Sequence, residues 1–254
     1  MKTKGDRLLR GKTFVITGCL QGIGKETLKV FAENGSNVFA CSYKYDEEFE
    51  SFCNDLAEKN DVKVVPVYFD MMDDDSIKKA AMAIQKEKMA INGLVNIAGM
   101  NKDAYFGMIT SSDMTATFQV NVFAQITFTQ YIAKMIKKNE DGGSILFTSS
   151  ITAMDGNEGQ TVYGASKAAL IGAMKTMAIE LGKNKIRVNA IAPGVIYSPM
   201  TQKLSQDIMN EKIRRMDIPE LGSMTDVANL CMYLMSDYSS HVTGQVIRID
   251  GGIN

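Results

Sequence analysis

Thr13-Phe14-Val15-Ile16-Thr17-Gly18-Cys19-Leu20-Gln21-Gly22-Ile23-Gly24 reads as a strand that breaks into a glycine-rich turn and then opens a helix. The continuous apolar run at 14–16 suits a strand covered on both faces, as in a parallel sheet. Gly18, Gly22 and Gly24 permit a tight turn and close backbone approach. The helix start behind them offers unpaired N–H groups and the positive end of the dipole to a pyrophosphate.

Outward from this stretch, short β-branched runs alternate with long amphipathic ones. Strands are expected at 13–17, 37–41, 63–68, 93–96, 144–148, 187–191 and 245–249. Helical patterns fill the intervals at 24–34, 46–59, 73–89, 112–138, 163–181 and 225–235. This rhythm predicts a Rossmann-type, doubly wound α/β fold: a seven-stranded parallel sheet with helices on both faces. Pro66 weakens the third strand or marks an edge. No repeat, low-complexity tract or linker interrupts the series, so the chain is expected to form one domain over 1–254. The least regular part, 193–220, holds three of the four prolines and a possible short helix at 203–215. It follows a strand on the ligand-binding edge and reads either as a substrate lid or as a surface loop.

Tyr163 and Lys167 stand four apart on the helix predicted at 163–181, hence on one face. About one such pair is expected by chance in a chain of this size, so position matters more than the match. A phenol near pKa 10 is a poor acid at neutral pH, and a neighbouring ammonium favours its ionised form. Lys167 is placed for that role, and Ser150, at the end of the fifth strand, for hydrogen-bonding a substrate oxygen. With the glycine turn, these residues point to a nicotinamide-dependent carbonyl/alcohol redox enzyme.

Composition narrows the field. Hydrophobic residues make up 45% and charged residues 22% of 254, ordinary values for a globular chain. With 28 Lys+Arg against 29 Asp+Glu there is no broad basic field for nucleic acid or an anionic membrane. Cys19, Cys41, Cys53 and Cys231 lack C-x-x-C spacing and fit a reducing cytoplasm. The apolar run after the basic amino end is too short for a signal-peptide core, so no export is expected. The scattered methionines read as core filling. The lone His241 gives no basis for a triad or a metal site, and Asp73, Asp74 and Asp75 read as a helix-start cluster.

The loop Thr17-Gly18-x-x-x-Gly22-x-Gly24 resembles the cofactor loop of the short-chain dehydrogenase/reductase family. Asn96-Ile97-Ala98-Gly99 resembles its N-N-A-G segment, Asn121 its helix asparagine, Ser150 its serine and Tyr163 to Lys167 its Y-x-x-x-K. Pro193-Gly194 and Asp250-Gly251-Gly252 complete the family's order. The resemblance implies Asn121, Ser150, Tyr163 and Lys167 as catalytic residues, with Asn121 holding a water that links Lys167 to solvent. An asparagine at this helical position could instead satisfy a backbone kink. Strand alternation would send Ser149 and Ser150 to opposite faces, and the family's spacing of 13 residues to the tyrosine implies Ser150.

The resemblance also implies a cofactor site. Its members would be Gly18, Leu20, Gln21, Gly22, Ile23, Gly24, Ser42, Lys44, Asp70, Met71, Asn96, Ala98, Gly99, Tyr163, Lys167, Pro193, Gly194, Ile196 and Ser198. Asp70 would contact the adenine edge, cap the following helix, or do both. The substrate pocket is expected around Ser150, Tyr163, Asn157, Gln160 and residues 195–204, and the resemblance implies a homotetramer or dimer built on the helices at 112–138 and 163–181.

The sequence departs from the family pattern in two places. Where an acidic residue would select NAD stands Ser42, followed by Tyr43 and Lys44, so NADP(H) is favoured over NAD(H). The glycine loop lacks the arginine of many NADP relatives and carries Leu20-Gln21. Met100-Asn101-Lys102-Asp103 and the run from Arg187 to Gly194 most resemble 3-oxoacyl-carrier-protein reductases. Yet Glu140, Asp141 and Ile179 stand where those enzymes carry a basic patch for their acidic partner, with only Lys137 and Lys138 to compensate. The expected substrate is a small carbonyl or hydroxyl compound; the alternatives are a carrier-bound 3-oxoacyl group or a non-catalytic dinucleotide-binding protein. Such non-catalytic relatives lose the tyrosine, serine or lysine, and all three are present here.

Overall fold

In the computed structural model, residues 7–199, 201 and 205–253 are described. Met200 and Gln202, Lys203 and Leu204, which belong to the expected pocket segment and to the start of the expected lid helix, lie outside the described residues. The sheet runs β1 (Thr13–Thr17), β2 (Asn37–Ser42), β3 (Val64–Tyr68), β4 (Gly93–Asn96), β5 (Gly143–Thr148), β6 (Ile186–Pro193) and β9 (Val246–Ile249). Its spatial order is β3-β2-β1-β4-β5-β6-β9, with every pair parallel. The order reverses between β1 and β4, and a crevice opens there at the carboxyl ends of the strands. Pro66 lies on β3, an edge strand, where its missing N–H costs least.

Helices cover both faces because the central strands carry apolar side chains on both. On one face α3 (Asp74–Lys86), α5 (Ala124–Ile136) and α7 (Thr161–Gly182) bury residues such as Ile77, Phe128 and Leu170 against Val15, Leu94 and Phe147. On the other, α1 (Gly22–Glu33), α2 (Glu47–Asn60) and α9 (Met224–Met235) bury Leu28, Phe49 and Cys231 against Ile16 and Leu146. Phe14 meets Phe31 edge-on at 5.2 Å, and each such buried ring adds about 0.5–1.5 kcal/mol beyond its area. Asp73 caps α3 by accepting from Asp75 N, with Asp74 and Asp75 in its first turn.

Two regions are less regular than the sequence pattern suggests. The helix expected at 112–138 is α4 (Ser111–Phe118) and α5, joined by a π-helical turn over Gln119–Phe123. Past β5 a one-turn α6 (Thr152–Asp155) intervenes before α7. In the 193–220 segment, β7 (Ile196–Tyr197) pairs with β8 (Gly222–Ser223), and between them α8 covers Gln206–Arg214. Among the described residues, no helix is long and apolar enough to cross a membrane.

Candidate active site

A cavity of about 520 Å³ lies at the crevice predicted by the strand order. Its walls are the ends of six strands. The glycine loop after β1 supplies Gly18 and residues 20–24, β2 supplies Ser42, and the turn after β3 supplies Asp70 and Met71. Ala98 and Gly99 follow β4, Ser150 follows β5, and Pro193, Gly194, Ile196 and Ser198 close the far wall. Tyr163 and Lys167 enter from α7.

The glycine loop is shaped for an anionic chain. Gly22 sits at φ +61°, and a Cβ there would meet nothing within 4 Å, so the backbone presents open space where a side chain would stand. A Cβ at Gly24 would overlap the Gly18 carbonyl, which fixes how closely α1 packs under the loop. Gln21, the residue before α1, makes no side-chain cap, leaving the first N–H groups of the helix facing the cavity. These features fit a pyrophosphate-bearing dinucleotide.

At the other end the Tyr163 phenol faces the same cavity as the Ser150 hydroxyl. Burial raises the phenol above its ordinary value of 10, while Ser150 pulls it down and Asp103 adds to the rise. Lys167 is buried, its ammonium donates to Thr148 O at 2.7 Å, and burial lowers it to about 8. Its Nζ is 5.8 Å from the Tyr163 ring centre. Burial dominates the phenol's shift, and the group that lowers it here is Ser150. Ser150 Oγ accepts from Thr152 N at 3.2 Å, which leaves its own proton to donate. Ser149 differs: its hydroxyl donates to Lys167 O at 2.9 Å and helps seat α7. Both serines lie just past the end of β5, so the turn, rather than strand pleating, separates their directions.

Asn121 lies in the π-helical turn and is fully buried. Its Oδ1 accepts from Met100 N at 2.8 Å, and its Nδ2 donates to Met100 O at 2.9 Å and to Ser166 Oγ at 3.0 Å. The amide thus fastens the loop after β4 to α7. A Cβ at Gly99 would lie 3.2 Å from Asn121 Oδ1 and 3.3 Å from Lys167 Nζ, so the two side chains converge on that glycine.

Several expected members stand elsewhere. Lys44 is off the cavity wall: Ser42 Oγ donates to Lys44 O at 2.9 Å, turning the chain so that Tyr43 lines the cavity. The Lys44 ammonium lies 5.7 Å from the Tyr43 ring centre instead. Asn96 is fully buried and donates to Thr129 Oγ1 at 3.1 Å, a tie between β4 and α5 rather than a cavity contact. Asn157 and Gln160 line a separate shallow groove of about 360 Å³ with Thr152 and Gly164. Gln160 Oε1 accepts from Thr152 Oγ1 at 3.1 Å, because the residue that opens α7 folds its side chain onto α6. Asp70 lines the cavity and accepts from Met72 N at 2.8 Å, while Asp73 performs the helix capping. The sequence reading missed Tyr43, Phe69, Met100 and Thr148 on the wall, whereas Thr201 lies in the expected 195–204 segment. The first three adjoin a predicted member and Thr148 ends β5 two residues before Ser150, and only the turn geometry selects them.

Comparison with known proteins adds a second line. The sequence model of the family described as enoyl-(acyl carrier protein) reductase matches residues 18–254. The 3-oxoacyl-[acyl-carrier-protein] reductase of Thermotoga maritima is 40% identical over 245 residues, 96% of this chain and 98% of that protein. The 3alpha-hydroxysteroid dehydrogenase of Mediterraneibacter gnavus is 32% identical over 245 residues, 96% of this chain and 97% of that protein. A Brucella melitensis 3-oxoacyl-[acyl-carrier protein] reductase, solved with bound NAD, superposes with a TM-score of 0.87 at 26% identity, covering 100% of this chain and 96% of that one.

Proposed function

The chain belongs to the short-chain dehydrogenase/reductase family, and we propose that it moves hydride between NADP(H) and a ketone or secondary alcohol, with Tyr163 as general acid/base. The observation that carries this reading is the meeting of Tyr163, Ser150 and buried Lys167 at one end of a cavity whose other end is the glycine loop. The nicotinamide supplies or accepts the hydride when bound.

The protein's own residues supply the rest. Ser150, oriented by Thr152 N, donates a hydrogen bond to the substrate oxygen and stabilises charge developing there. Tyr163, protonated at neutral pH, delivers the proton that turns this oxygen into a hydroxyl, and takes it back in the reverse direction. Lys167 holds the ribose hydroxyls, and Asn121 fixes the loop that packs against it. Gly18, residues 20–24, Asp70, Met71, Ala98, Gly99, Pro193, Gly194, Ile196 and Ser198 form the remaining cofactor wall. The NADP(H) preference rests on Ser42 standing where a carboxylate would repel a 2′-phosphate. Residues 193–220 act as the substrate loop of a single-domain protein.

The substrate reading is a small, unattached carbonyl or hydroxyl compound. Ile179 is 83% exposed on α7, and Glu140 and Asp141 precede β5, so this surface lacks a continuous basic patch. A second reading, reduction of a carrier-bound 3-oxoacyl group, is favoured by the 40% identity to the Thermotoga maritima reductase. The exposed stripe of Thr161, Ala165, Ala168, Gly172, Thr176 and Ile179 on α7, with half-exposed Phe123, supports self-association as a homotetramer. Four free, buried thiols support a reducing compartment such as the cytoplasm.

The purified chain should oxidise NADPH with members of a ketone panel; cofactor binding without turnover across the panel would establish a non-catalytic dinucleotide-binding protein instead. To separate the substrate readings, kcat/KM is compared for an acetoacetyl group on carrier protein and on a short thioester. A salt-sensitive gain of orders of magnitude on the carrier would show that Lys137 and Lys138 compensate, and would overturn the small-substrate reading.

A further inference from the structure

We propose that Arg248 is a positioning residue for Ser150, clamping the turn that carries the serine to the end of the last strand and the base of the substrate segment. This rests on the assignment of Ser150 as the hydroxyl that binds the substrate oxygen. Arg248 Nη1 donates to Asp155 Oδ1 at 3.0 Å and Nη2 lies 2.7 Å from Asp155 Oδ2, a two-pronged contact with one carboxylate. Its Nε donates to Asp250 Oδ2 at 2.6 Å, and Nη2 also donates to Ile253 O at 3.3 Å. One guanidinium therefore joins two carboxylates 95 residues apart, at positions 155 and 250.

Each end of the clamp belongs to the active-site edge. Asp155 is the last residue of α6, the single turn that follows Ser150. That turn is closed by Ala153 N donating to Ser150 O at 3.0 Å and Asp155 N to Ile151 O at 2.9 Å, and the same turn presents Thr152 N to Ser150 Oγ. A four-residue helix has little stability of its own, so its position depends on tertiary ties. Asp250, whose side chain is only 8% exposed, accepts from Gly252 N at 3.1 Å and packs on Gly194, where an added Cβ would lie 2.6 Å from Asp250 Cβ. Gly251 O accepts from Ile218 N at 2.9 Å, which docks the end of the 193–220 segment on the same tail.

The Arg248–Asp155 pair is one-third to one-half exposed, and ion pairs of that kind contribute little to global stability. Its consequence is geometric: without it, Asp155 has no other side-chain partner among the described residues and α6 can shift relative to Tyr163. A displacement of about 1 Å at a reacting group costs up to about a hundredfold in rate.

The test uses Asp155→Ala, Arg248→Met, their double variant and Arg248→Lys, assayed with NADPH and the best ketone of the panel. Asp155→Ala and Arg248→Met should each lower kcat/KM by about ten- to a hundredfold, and the double variant should be no worse than the poorer single. NADPH dissociation constants should stay within about twofold, because the glycine loop is untouched. Amide exchange at residues 151–156 should accelerate in both single variants. Arg248→Lys should recover activity partly, since an ammonium serves one carboxylate at a time. If Arg248→Met does not fold because Asp250 loses its cation, Asp155→Ala, which keeps the Arg248–Asp250 pair, carries the test alone. The proposal is overturned if Asp155→Ala keeps kcat/KM within about twofold of wild type, or if cofactor affinity falls in the same proportion as kcat/KM. Ser150→Ala is run alongside: full turnover in that variant would refute the role of Ser150 itself, whereas loss there with an unaffected Asp155→Ala refutes only the clamp.

Discussion

The Lys167 ammonium lies 5.8 Å from the centre of the Tyr163 ring, one helical turn away, and gives its hydrogen bond to the Thr148 carbonyl rather than to the phenol. Each group is therefore shifted toward its neutral form by burial, the phenol upward and the ammonium down to about 8.

This arrangement predicts a pH signature in stability. Lys167 binds its proton less tightly in the folded protein, at about 8, than at its ordinary value of 10.5. Between those values the unfolded chain holds the extra proton, so stability rises with pH across the window and the penalty is complete below it. Relative to Lys167→Met, the wild type should gain about 2 kcal/mol between pH 8 and 10 in urea unfolding. A pH-independent difference between the two proteins would show that Lys167 is not desolvated. Readings stop at pH 10, above which the raised Tyr163 acts in the opposite direction.

Gly99 carries a second prediction. An added methyl group would stand 3.2 Å from Asn121 Oδ1 and 3.3 Å from Lys167 Nζ, so both must move by a few tenths of an ångström. Gly99→Ala should lower kcat by about tenfold or more through displacement of Lys167, while melting shifts by only a few degrees, as for about 1 kcal/mol. Unchanged kcat would show that the convergence of these side chains does not matter to turnover.

The fold was legible because seven apolar runs at regular intervals allow few arrangements, and the glycine loop marks the first strand. Tyr163, Lys167 and Ser150 were legible from helical spacing and motif order. What escaped depends on tertiary geometry. The π-helical turn at Gln119–Phe123 has no local sequence signal, yet it sets Asn121 against Met100 and Ser166. Lys44 stands off the cavity wall because a single bond from Ser42 Oγ to its carbonyl redirects the chain, which no local pattern announces. Gln160 reads as a pocket residue by proximity to Tyr163, but Thr152 captures its amide. The weight of burial at Tyr163 was not legible, because desolvation, unlike spacing, cannot be read from a string of residues.

Cofactor choice gives a third prediction. Ser42 is buried beside the cavity, and its hydroxyl turns inward to Lys44 O. Ser42→Asp places a carboxylate at the end of β2 and should reverse the NADPH/NADH preference by at least about tenfold, the scale of one like-charge contact. Fluorescence titration of both proteins with both cofactors decides it; tighter NADH binding by the wild type would refute the preference.

The central claim is that Tyr163 is the proton donor, and the most direct test is the turnover of Tyr163→Phe with NADPH and a ketone that the wild type reduces. The substitution removes only the hydroxyl, so NADPH affinity should stay within about twofold while kcat falls by about a hundredfold or more. A Tyr163→Phe protein that retains near-wild-type kcat would contradict the account.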